Sequence, residues 1–440
     1  MRNSARSWAA ALSFVLMLPA LAATATAAAP KPLAPSALLR TLAGSGLPLA
    51  SFGVYVQAVG DRTEVAAINA EEPFVLASTA KIVTALAALD MLGPRWRWRT
   101  HAYITGAIVG GRLKGDLLIA GGGNARLTSS ELAAWMLHMR SLGLNEIAGD
   151  ILLDHSAFTL TDADHRHTPL PAPDRPRHAW PAALMLDEGV MQIQLKGTYG
   201  PRYISVVAPV GADYVAQAVL RLWAQVGGTL NGQVRQIDLT GGNPQRERWP
   251  QLAHDGEPSL PWSTHLSEPL PTILREMNKS SNNLTARCLM LSMAHGFPLL
   301  AASMGGAQAS VQGWLLRQGM SAQDIVMDNG SGLSRTERGK PRALVQLLLR
   351  AWGSREARSF VESLPIAGVD GTLSSRMLHG AATGRAFLKT GSLLDARALA
   401  GYVTGGSGKV YAVAVLVNHP QAGRATPSLD AMIEWLARNG

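Results

Sequence analysis

The stretch FVLASTAKIVTALAALDML, Phe74–Leu92, is the most informative segment of the chain. It places Ser78 in front of a long apolar helix and Lys81 one turn later. Because positions i and i+3 share a face at the start of a helix, the lysine amine can reach the serine hydroxyl, which needs a neighbouring base to act as a nucleophile. The plain alternative is an N-cap serine and a surface lysine, and the short Ser-x-x-Lys spacing alone favours it.

A second polar motif lies in MNKSSNNLTAR, in a turn just before a predicted helix. Ser281-Asn282-Asn283 fits a Ser-x-Asn pattern, but Ser280-Ser281-Asn282 fits it as well, so the spacing leaves the register open. Taken alone, these residues are typical of a helix N-cap with polar turn residues.

The third motif is Lys389-Thr390-Gly391-Ser392, on a predicted strand near the C-terminus. A lysine ammonium and a threonine hydroxyl facing a cleft can hold a carboxylate, and a glycine lets a ligand backbone approach closely. Taken alone, the motif is equally a strand that turns at Gly391. The three motifs in this order, each on the element that its role requires, are typical of penicillin-binding proteins and serine β-lactamases.

The rest of the chain predicts one discontinuous α/β domain with a large insertion. SFGVYVQAV (51–59) and EVAAIN alternate like a pair of strands, and three strands and a one-faced helix close the chain. Short β-like runs broken by turn residues fill the middle. We therefore expect a domain made of residues 30–100 and 266–440, and an inserted β-rich region at 101–265.

The N-terminus predicts export. Arg2 and Arg6 precede an apolar run from Trp8 to Ala23 and then small residues, which is the pattern of a cleaved secretory signal over residues 1–29. Because Pro19 interrupts the run and the run is short, we expect no transmembrane anchor in the mature chain. The expected location is the periplasm.

Composition excludes several other classes. The formal net charge is +9, but no basic run is interleaved with aromatic residues, so we expect no nucleic-acid partner. The single cysteine, Cys288, lies in an apolar stretch and is predicted to be a core residue, with no intramolecular disulfide. A short cluster of possible metal ligands consists of Asp162, Asp164, His165 and His167. Because no pattern of further ligands follows it in the sequence, we predict neither a metal nor a cofactor.

Beyond the motifs, the sequence resembles the D-alanyl-D-alanine carboxypeptidase/endopeptidase family, the class C low-molecular-mass penicillin-binding proteins. The long separation between Ser78 and Ser281 matches the insertion that this family carries, and the family's Asn-Lys-x-Ser-Asn-Asn pattern selects Ser281 and Asn283. The matching segments cover most of the mature chain in the family's order: LASTAKIVTALAALDMLGPRWRWRT, GRLKGDLLIAGGGNARL, IAGDILLDHSAF, MNKSSNNLTA, MDNGSGLSR, LPIAGVDGTLSSRM and LKTGSLLDARALAGYV.

The resemblance implies a fold and an activity. The fold is α/β, a penicillin-binding-protein/serine β-lactamase-like transpeptidase domain with an antiparallel sheet flanked by helices. The activity is that of an exported serine DD-peptidase acting on peptidoglycan stem peptides and cross-links, with β-lactams as covalent inhibitors. Ser78 would attack the carbonyl between two terminal D-alanines, and Lys81 would be the base for acylation. Ser281 would relay the proton to the leaving amine, and Asn283 would orient Lys81 and the substrate amide.

The third motif also receives roles from the resemblance. Lys389 and Thr390 would bind the terminal carboxylate, and Lys389 would help to keep Lys81 neutral. Gly391 lies in the same strand segment, and the backbone N–H groups of Ser78 and Ser392 would form the oxyanion hole.

The sequence departs from the family's pattern at several places. The family has Asp-Pro-Thr where this chain has Asn124-Ala-Arg126, and a proline where it has Leu76; Asp395-Ala-Arg397 is also unusual. Asp174 is the candidate for the acid that reads the diaminopimelate amine. Two other functions stay open: a serine β-lactamase, and a non-catalytic peptidoglycan-binding protein with a relic site.

Overall fold

The computed structural model describes residues 35–61, 63–165, 180–197, 200–207, 213–239, 248–249 and 260–440. The helices in these residues are α1 (Pro35–Ala43), α2 (Ala80–Met91), α3 (Ser129–Ser141), α4 (Asp162–His165), α5 (Tyr214–Gln225), α6 (Leu270–Ser280), α7 (Asn283–Ser292), α8 (Met304–Arg317), α9 (Pro341–Trp352), α10 (Ala357–Ser363) and α11 (Thr426–Asn439). The strands are β1 (Phe52–Ala58), β2 (Glu64–Ile68), β3 (Phe74–Val75), β4 (Arg99–Ile104), β5 (Ile108–Val109), β6 (Arg112–Leu113), β7 (Leu117–Ala120), β8 (Glu146–Ile147), β9 (Ile151–Asp154), β10 (Val190–Gly197), β11 (Gly200–Val207), β12 (Thr229–Leu230), β13 (Val234–Ile237), β14 (Ser263–Leu266), β15 (Ile325–Val326), β16 (Arg338–Gly339), β17 (Ala386–Leu393), β18 (Ala396–Thr404) and β19 (Val410–Asn418).

Both ends of the described chain build one five-stranded sheet, in the order β17-β18-β19-β1-β2. Every neighbouring pair is antiparallel, and β1 lies beside β19, with Val54 opposite Val415. Alternation of side chains across a strand lets each face bury its own core. One face packs against α1 and α11, and the other against the helices around α2. The predicted antiparallel sheet flanked by helices is confirmed.

The helix that follows Ser78 is enclosed on all sides. Every residue of α2 from Ala80 to Leu89 is buried, including the polar Lys81 and Thr84, as in a helix enclosed by the core. Its neighbours in the core are α6, α7 and α8, and Cys288 on α7 is fully buried there, as predicted. Burial raises the pKa of the Cys288 thiol to about 12. Packing from Ala80 to Leu89 therefore holds the start of α2 in place.

The middle of the chain forms two further sheets and a hairpin. The sheets have the orders β13-β9-β7-β4-β14 and β12-β8-β6-β5, and β10 pairs with β11. The first and last strands of the middle region, β4 and β14, are antiparallel neighbours, with Ala102 opposite Ser263. The chain thus enters and leaves this region side by side.

Two long helices in the middle region, α3 and α5, are absent from the sequence prediction. The helix α3 begins with a capping box, in which Thr128 Oγ1 accepts from the Glu131 N–H at 3.1 Å and a Glu131 carboxylate oxygen accepts from the Thr128 N–H at 2.8 Å. The helix α5 buries Val215, Val219 and Leu222 at helical spacing. Both helices pack on the strands, so the region is mixed α/β.

Part of the sequence prediction concerns residues outside the described ranges. The signal segment at residues 1–29 and the candidate acid Asp174 lie outside the described residues. Across the ranges given above, no helix has the length and apolarity needed to cross a membrane.

Candidate active site

Ser78 lies on a short 3₁₀ turn, Ala77–Thr79, that leads directly into α2. Thr79 Oγ1 donates a hydrogen bond to the Leu76 carbonyl at 2.6 Å, which tightens the turn. Ala77 has a positive φ of 46°, a conformation that L-residues rarely adopt. Ser78 is partly exposed while its neighbours are buried. The turn therefore presents one hydroxyl at the surface of an otherwise closed core.

Lys81 is fully buried and points at that hydroxyl. Its Nζ lies 3.0 Å from Ser78 Oγ and donates to Asn283 Oδ1 at 2.7 Å. It also donates to the backbone carbonyl of Ser331. Amide and carbonyl oxygens only accept, whereas a serine hydroxyl can also donate. A Lys81 ammonium donates to all three oxygens, whereas a neutral amine donates to Asn283 and the Ser331 carbonyl and turns its lone pair to the Ser78 hydroxyl.

The second motif is split between two helices. Ser281 ends α6 in a left-handed conformation, with φ 57°, and Asn282 caps α7 by accepting from the Thr285 N–H at 3.0 Å. This sharp turn sends the Asn283 side chain to Lys81. The alternative register is not at the site, because the Ser280 hydroxyl donates to the carbonyl of residue 276 at 2.7 Å within α6.

The third motif lies on β17, at the edge of the central sheet. Lys389 is fully buried, and its Nζ donates to Ser281 Oγ at 2.9 Å and to the Thr390 carbonyl at 2.8 Å. The Thr390 hydroxyl lies 2.7 Å from the hydroxyl of Thr372. Ser392 is exposed, two residues beyond Thr390.

Gly391 brings the strand against the nucleophile turn. A Cβ at this position would lie 3.0 Å from the Ala77 Cβ and 3.1 Å from the Leu76 carbonyl oxygen. The three chain segments therefore meet pairwise: Lys81 contacts Asn283, Ser281 contacts Lys389, and Gly391 leaves no room for a side chain beside Ala77, the residue before Ser78. The site is a closed ring of three chain segments that are far apart in sequence.

Sequence reasoning assigned no role to the turn at residues 328–332. Its Ser331 carbonyl accepts from Lys81, and Gly330 and Gly332 both have positive φ, at 77° and 82°. The Asn-Gly and Ser-Gly pairs in MDNGSGLSR signal such a turn. They do not reveal that a backbone carbonyl from it reaches Lys81, since any residue type carries one.

Two of the departures from the family's pattern form ion pairs beside the site. The Arg126 guanidinium pairs with Glu188, at 3.3 Å, and with Glu276. Glu188 also accepts from Asn282 Nδ2 at 2.9 Å, so the middle region is tied to the second motif. Asp395, in the turn after the third motif, pairs with Arg335 at 2.9 Å.

The described residues of the candidate metal cluster are not arranged to bind a metal ion. Asp164 accepts from the Thr161 N–H and hydroxyl at 2.7 and 2.9 Å, which is a local turn. His167 lies outside the described residues, and within them no group of three or more histidine, cysteine or carboxylate side chains is arranged to hold a metal ion.

Comparison with known proteins matches nearly the whole described chain. The sequence pattern of the D-Ala-D-Ala carboxypeptidase 3 (S13) family matches residues 36–248 and 195–439. The D-alanyl-D-alanine carboxypeptidase DacB of Haemophilus influenzae is 25% identical over 83% of this chain and 85% of its own length.

Two solved structures share the fold. The crystal structure of penicillin-binding protein 4 from Haemophilus influenzae has a TM-score of 0.72 at 23% identity, and the match covers 91% of this chain and 99% of that one. A predatory endopeptidase of Bdellovibrio bacteriovorus, acylated by penicillin G and in complex with an immunity protein, has a TM-score of 0.53 at 17% identity. That match covers 86% of this chain and 90% of the other.

Proposed function

The chain belongs to the D-Ala-D-Ala carboxypeptidase 3 (S13) family, and from this premise we propose that it is an exported serine DD-peptidase that forms an acyl-enzyme on Ser78. The observation that carries the proposal is the contact of 3.0 Å between Ser78 Oγ and a fully buried Lys81 Nζ. In this proposal Lys81 is a neutral amine that donates to Asn283 and to the Ser331 carbonyl and takes the serine proton on its lone pair.

Acylation moves one proton and exchanges one bond. Lys81 takes the Ser78 proton as Oγ bonds to the carbonyl carbon between two D-alanine residues. The carbonyl oxygen becomes an oxyanion, which the backbone N–H groups of Ser78 and Ser392 stabilise. As the oxyanion collapses, the C–N bond breaks and the leaving amine receives a proton through Ser281. Water then attacks the ester and restores Ser78.

Substrate recognition in this proposal uses the wall formed by β17. The terminal carboxylate binds the Lys389 ammonium and the Thr390 hydroxyl, which charge-assisted hydrogen bonding favours. Asn283 holds Lys81 and the substrate amide. The leaving group is either free D-alanine, in a carboxypeptidase reaction on a stem peptide, or the diaminopimelate side-chain amine of a cross-link, in an endopeptidase reaction. The endopeptidase of similar fold supports the second reaction.

The test is mass spectrometry of the purified mature protein after exposure to benzylpenicillin, beside Ser78→Ala and Ser280→Ala. Ser280 is the matched control, because its hydroxyl is committed to α6. We expect a stable penicilloyl adduct on the Ser78 peptide in the wild type and in Ser280→Ala, and none in Ser78→Ala. Release of D-alanine from a pentapeptide and cleavage of a cross-linked dimer then measure the two reactions separately.

The two alternatives predict different products. A β-lactamase leaves no adduct and hydrolyses the penicillin, whereas a non-catalytic peptidoglycan-binding protein leaves no adduct and intact penicillin. Periplasmic fractionation of cells that express the full chain, with the mature N-terminus read by mass spectrometry, tests the proposed export.

A further inference from the structure

The turn that carries the Ser331 carbonyl is folded around one buried carboxylate. Glu337 is fully buried, and both of its carboxylate oxygens accept backbone hydrogen bonds. Oε2 accepts from the Gly332 N–H at 2.5 Å. Oε1 accepts from three more N–H groups, those of Asp328, Asn329 and Gly330, at 3.2, 3.0 and 2.6 Å. A carboxylate with several backbone donors fixes the shape of a turn as a set of caps does.

A single peptide unit joins Glu337 to Lys81. The Gly332 N–H, which Glu337 binds, and the Ser331 carbonyl, which Lys81 binds, belong to the same peptide group. In a trans peptide the N–H and C=O point in opposite directions. The carboxylate therefore lies on one side of this peptide and the lysine amine on the other, and a rotation of the peptide would break both contacts.

The same residue supports the other side of the site. The backbone carbonyl of Glu337 accepts from the Leu76 N–H at 3.0 Å, two residues before the nucleophile. Gly332 in turn packs so closely on Ala77 that a Cβ there would lie 1.8 Å from the Ala77 carbonyl oxygen. The Thr84 hydroxyl, on α2, donates to the Gly330 carbonyl at 2.7 Å.

Glu337 shares its surroundings with two other ionisable side chains, Asp328 and Arg287. Burial raises the pKa of Glu337 to about 7, with a further rise from Asp328, while the backbone N–H groups lower it. Arg287 is 1% exposed and lies one turn after Asn283 on α7. Burial lowers the pKa of Arg287 to about 10, and the carboxylates of Asp328 and Glu337 oppose that shift. Arg287 is thus a buried cation in the field of the Glu337 carboxylate, which is ionised above about pH 7.

We propose that Glu337 is a positioning residue for acylation: it orients the Ser331–Gly332 peptide so that the peptide carbonyl fixes Lys81 with its lone pair towards Ser78. The proposal rests on the proposed function, in which Lys81 is the base. In this role the Glu337 side chain touches neither substrate nor Ser78 and acts through the Ser331–Gly332 peptide.

Glu337→Gln is the sharpest test, because glutamine keeps the shape and loses one acceptor. Its oxygen can serve the three donors at Oε1, but its NH₂ group then faces the Gly332 N–H, donor against donor. We expect the first-order acylation rate constant with a fluorescent penicillin to fall about 10- to 100-fold, the effect of one lost charge-assisted hydrogen bond. The dissociation constant of the noncovalent complex stays at the wild-type value, because the wall with Lys389 and Thr390 is untouched.

Glu362→Gln is the matched control. It removes the same charge from an exposed side chain whose partner is Arg358 on α10, and we expect wild-type acylation. Hydrogen exchange measured by mass spectrometry reports on the turn without any need for activity. The peptide spanning 328–337 should exchange faster in Glu337→Gln, with α11 unchanged.

The outcomes separate the two proposals. The positioning role is wrong if Glu337→Gln is acylated as fast as the wild type and Glu362→Gln. It is also wrong if the amide hydrogens of residues 328–337 exchange in Glu337→Gln as they do in the wild type. If the wild type is not acylated, the proposed function is wrong, and the exchange result alone decides whether Glu337 orders the turn. If Glu337→Gln does not fold, Thr84→Val replaces it: about fivefold slower acylation supports the role of the turn, and a wild-type rate overturns it.

Discussion

Replacing Gly332 with alanine asks whether the turn beside Ser78 sets the position of the nucleophile. Gly332 has φ 82°, and an added Cβ would lie 1.8 Å from the Ala77 carbonyl oxygen and 2.7 Å from the Ser78 nitrogen. Both atoms are backbone, so no side-chain rotation can relieve the contact. The nucleophile turn, the 328–332 turn, or both must move.

Two free-energy terms set the loss of stability that we expect for Gly332→Ala. An alanine in the left-handed region costs about 1–2 kcal/mol. Overpacking against rigid surroundings adds about 1–3 kcal/mol. We therefore expect Gly332→Ala to lower the free energy of unfolding by about 2–5 kcal/mol. Because misplacement of about 1 Å can cost two orders of magnitude in rate, penicillin acylation should slow by at least about tenfold.

Gly408→Ala is the matched control. Gly408 has φ 84°, nearly the same conformation, and nothing lies within 4 Å of an added Cβ in the hairpin between β18 and β19. It should lose only the conformational term, about 1–2 kcal/mol, and keep the wild-type acylation rate. Guanidinium unfolding and stopped-flow acylation of both variants separate the terms. A Gly332→Ala protein that is acylated as fast as Gly408→Ala would refute the reasoning.

Three further predictions concern the same site. Ser281→Ala should slow leaving-group release, and with it acylation, in peptide assays while Ser280→Ala keeps wild-type turnover, since of these two serines Ser281 is the one that contacts Lys389; equal rates in the two variants would contradict the register. Asn283→Leu removes an acceptor of the buried Lys81, so penicillin acylation should fall roughly 10- to 100-fold, and an unchanged rate would exclude this contact from catalysis. The pKa of Glu337 is raised from 4.5 to about 7, so the native state holds a proton that the unfolded state releases between these values. The free energy of unfolding of the wild type should therefore fall relative to Glu337→Gln by up to about 3 kcal/mol as the pH rises from about 4.5 to 7; parallel profiles in urea titrations would argue against that shift.

The sequence predicts the site's side chains better than its backbone partners. Ser78 and Lys81 could be paired because helical spacing alone brings them together, and the structure places them 3.0 Å apart. Ser281 and Lys389 are 108 positions apart, and only the family resemblance linked them. The Ser331 carbonyl and the Glu337 carboxylate have no such guide, because a backbone acceptor and a lone glutamate carry no pattern.

The fold shows the same division. The strands β1, β2, β17, β18 and β19 alternate clearly and were predicted, since each forms part of a two-faced core. The helices α3 and α5 were missed, although Thr128 and Glu131 form a capping box and Val215 and Val219 lie at helical spacing. Short strands dominate the sequence around both helices, and turn residues on either side hide the change from the two-residue hydrophobic period of a strand to the 3.6-residue period of a helix.

The core between the middle region and α2 bears on how the protein can be dissected in the laboratory. Ala125, Phe158 and Met185 from the middle region belong to the same buried cluster as α2 and α7, and the Phe158 ring lies 5.9 Å from that of Phe297. Because β4 and β14 are neighbours, a short linker could replace the middle region. Separating the two regions in this way would expose an apolar surface on each fragment. Soluble expression of either piece would require surface redesign, and cleavage of the intact chain in this region would leave two fragments that stay associated.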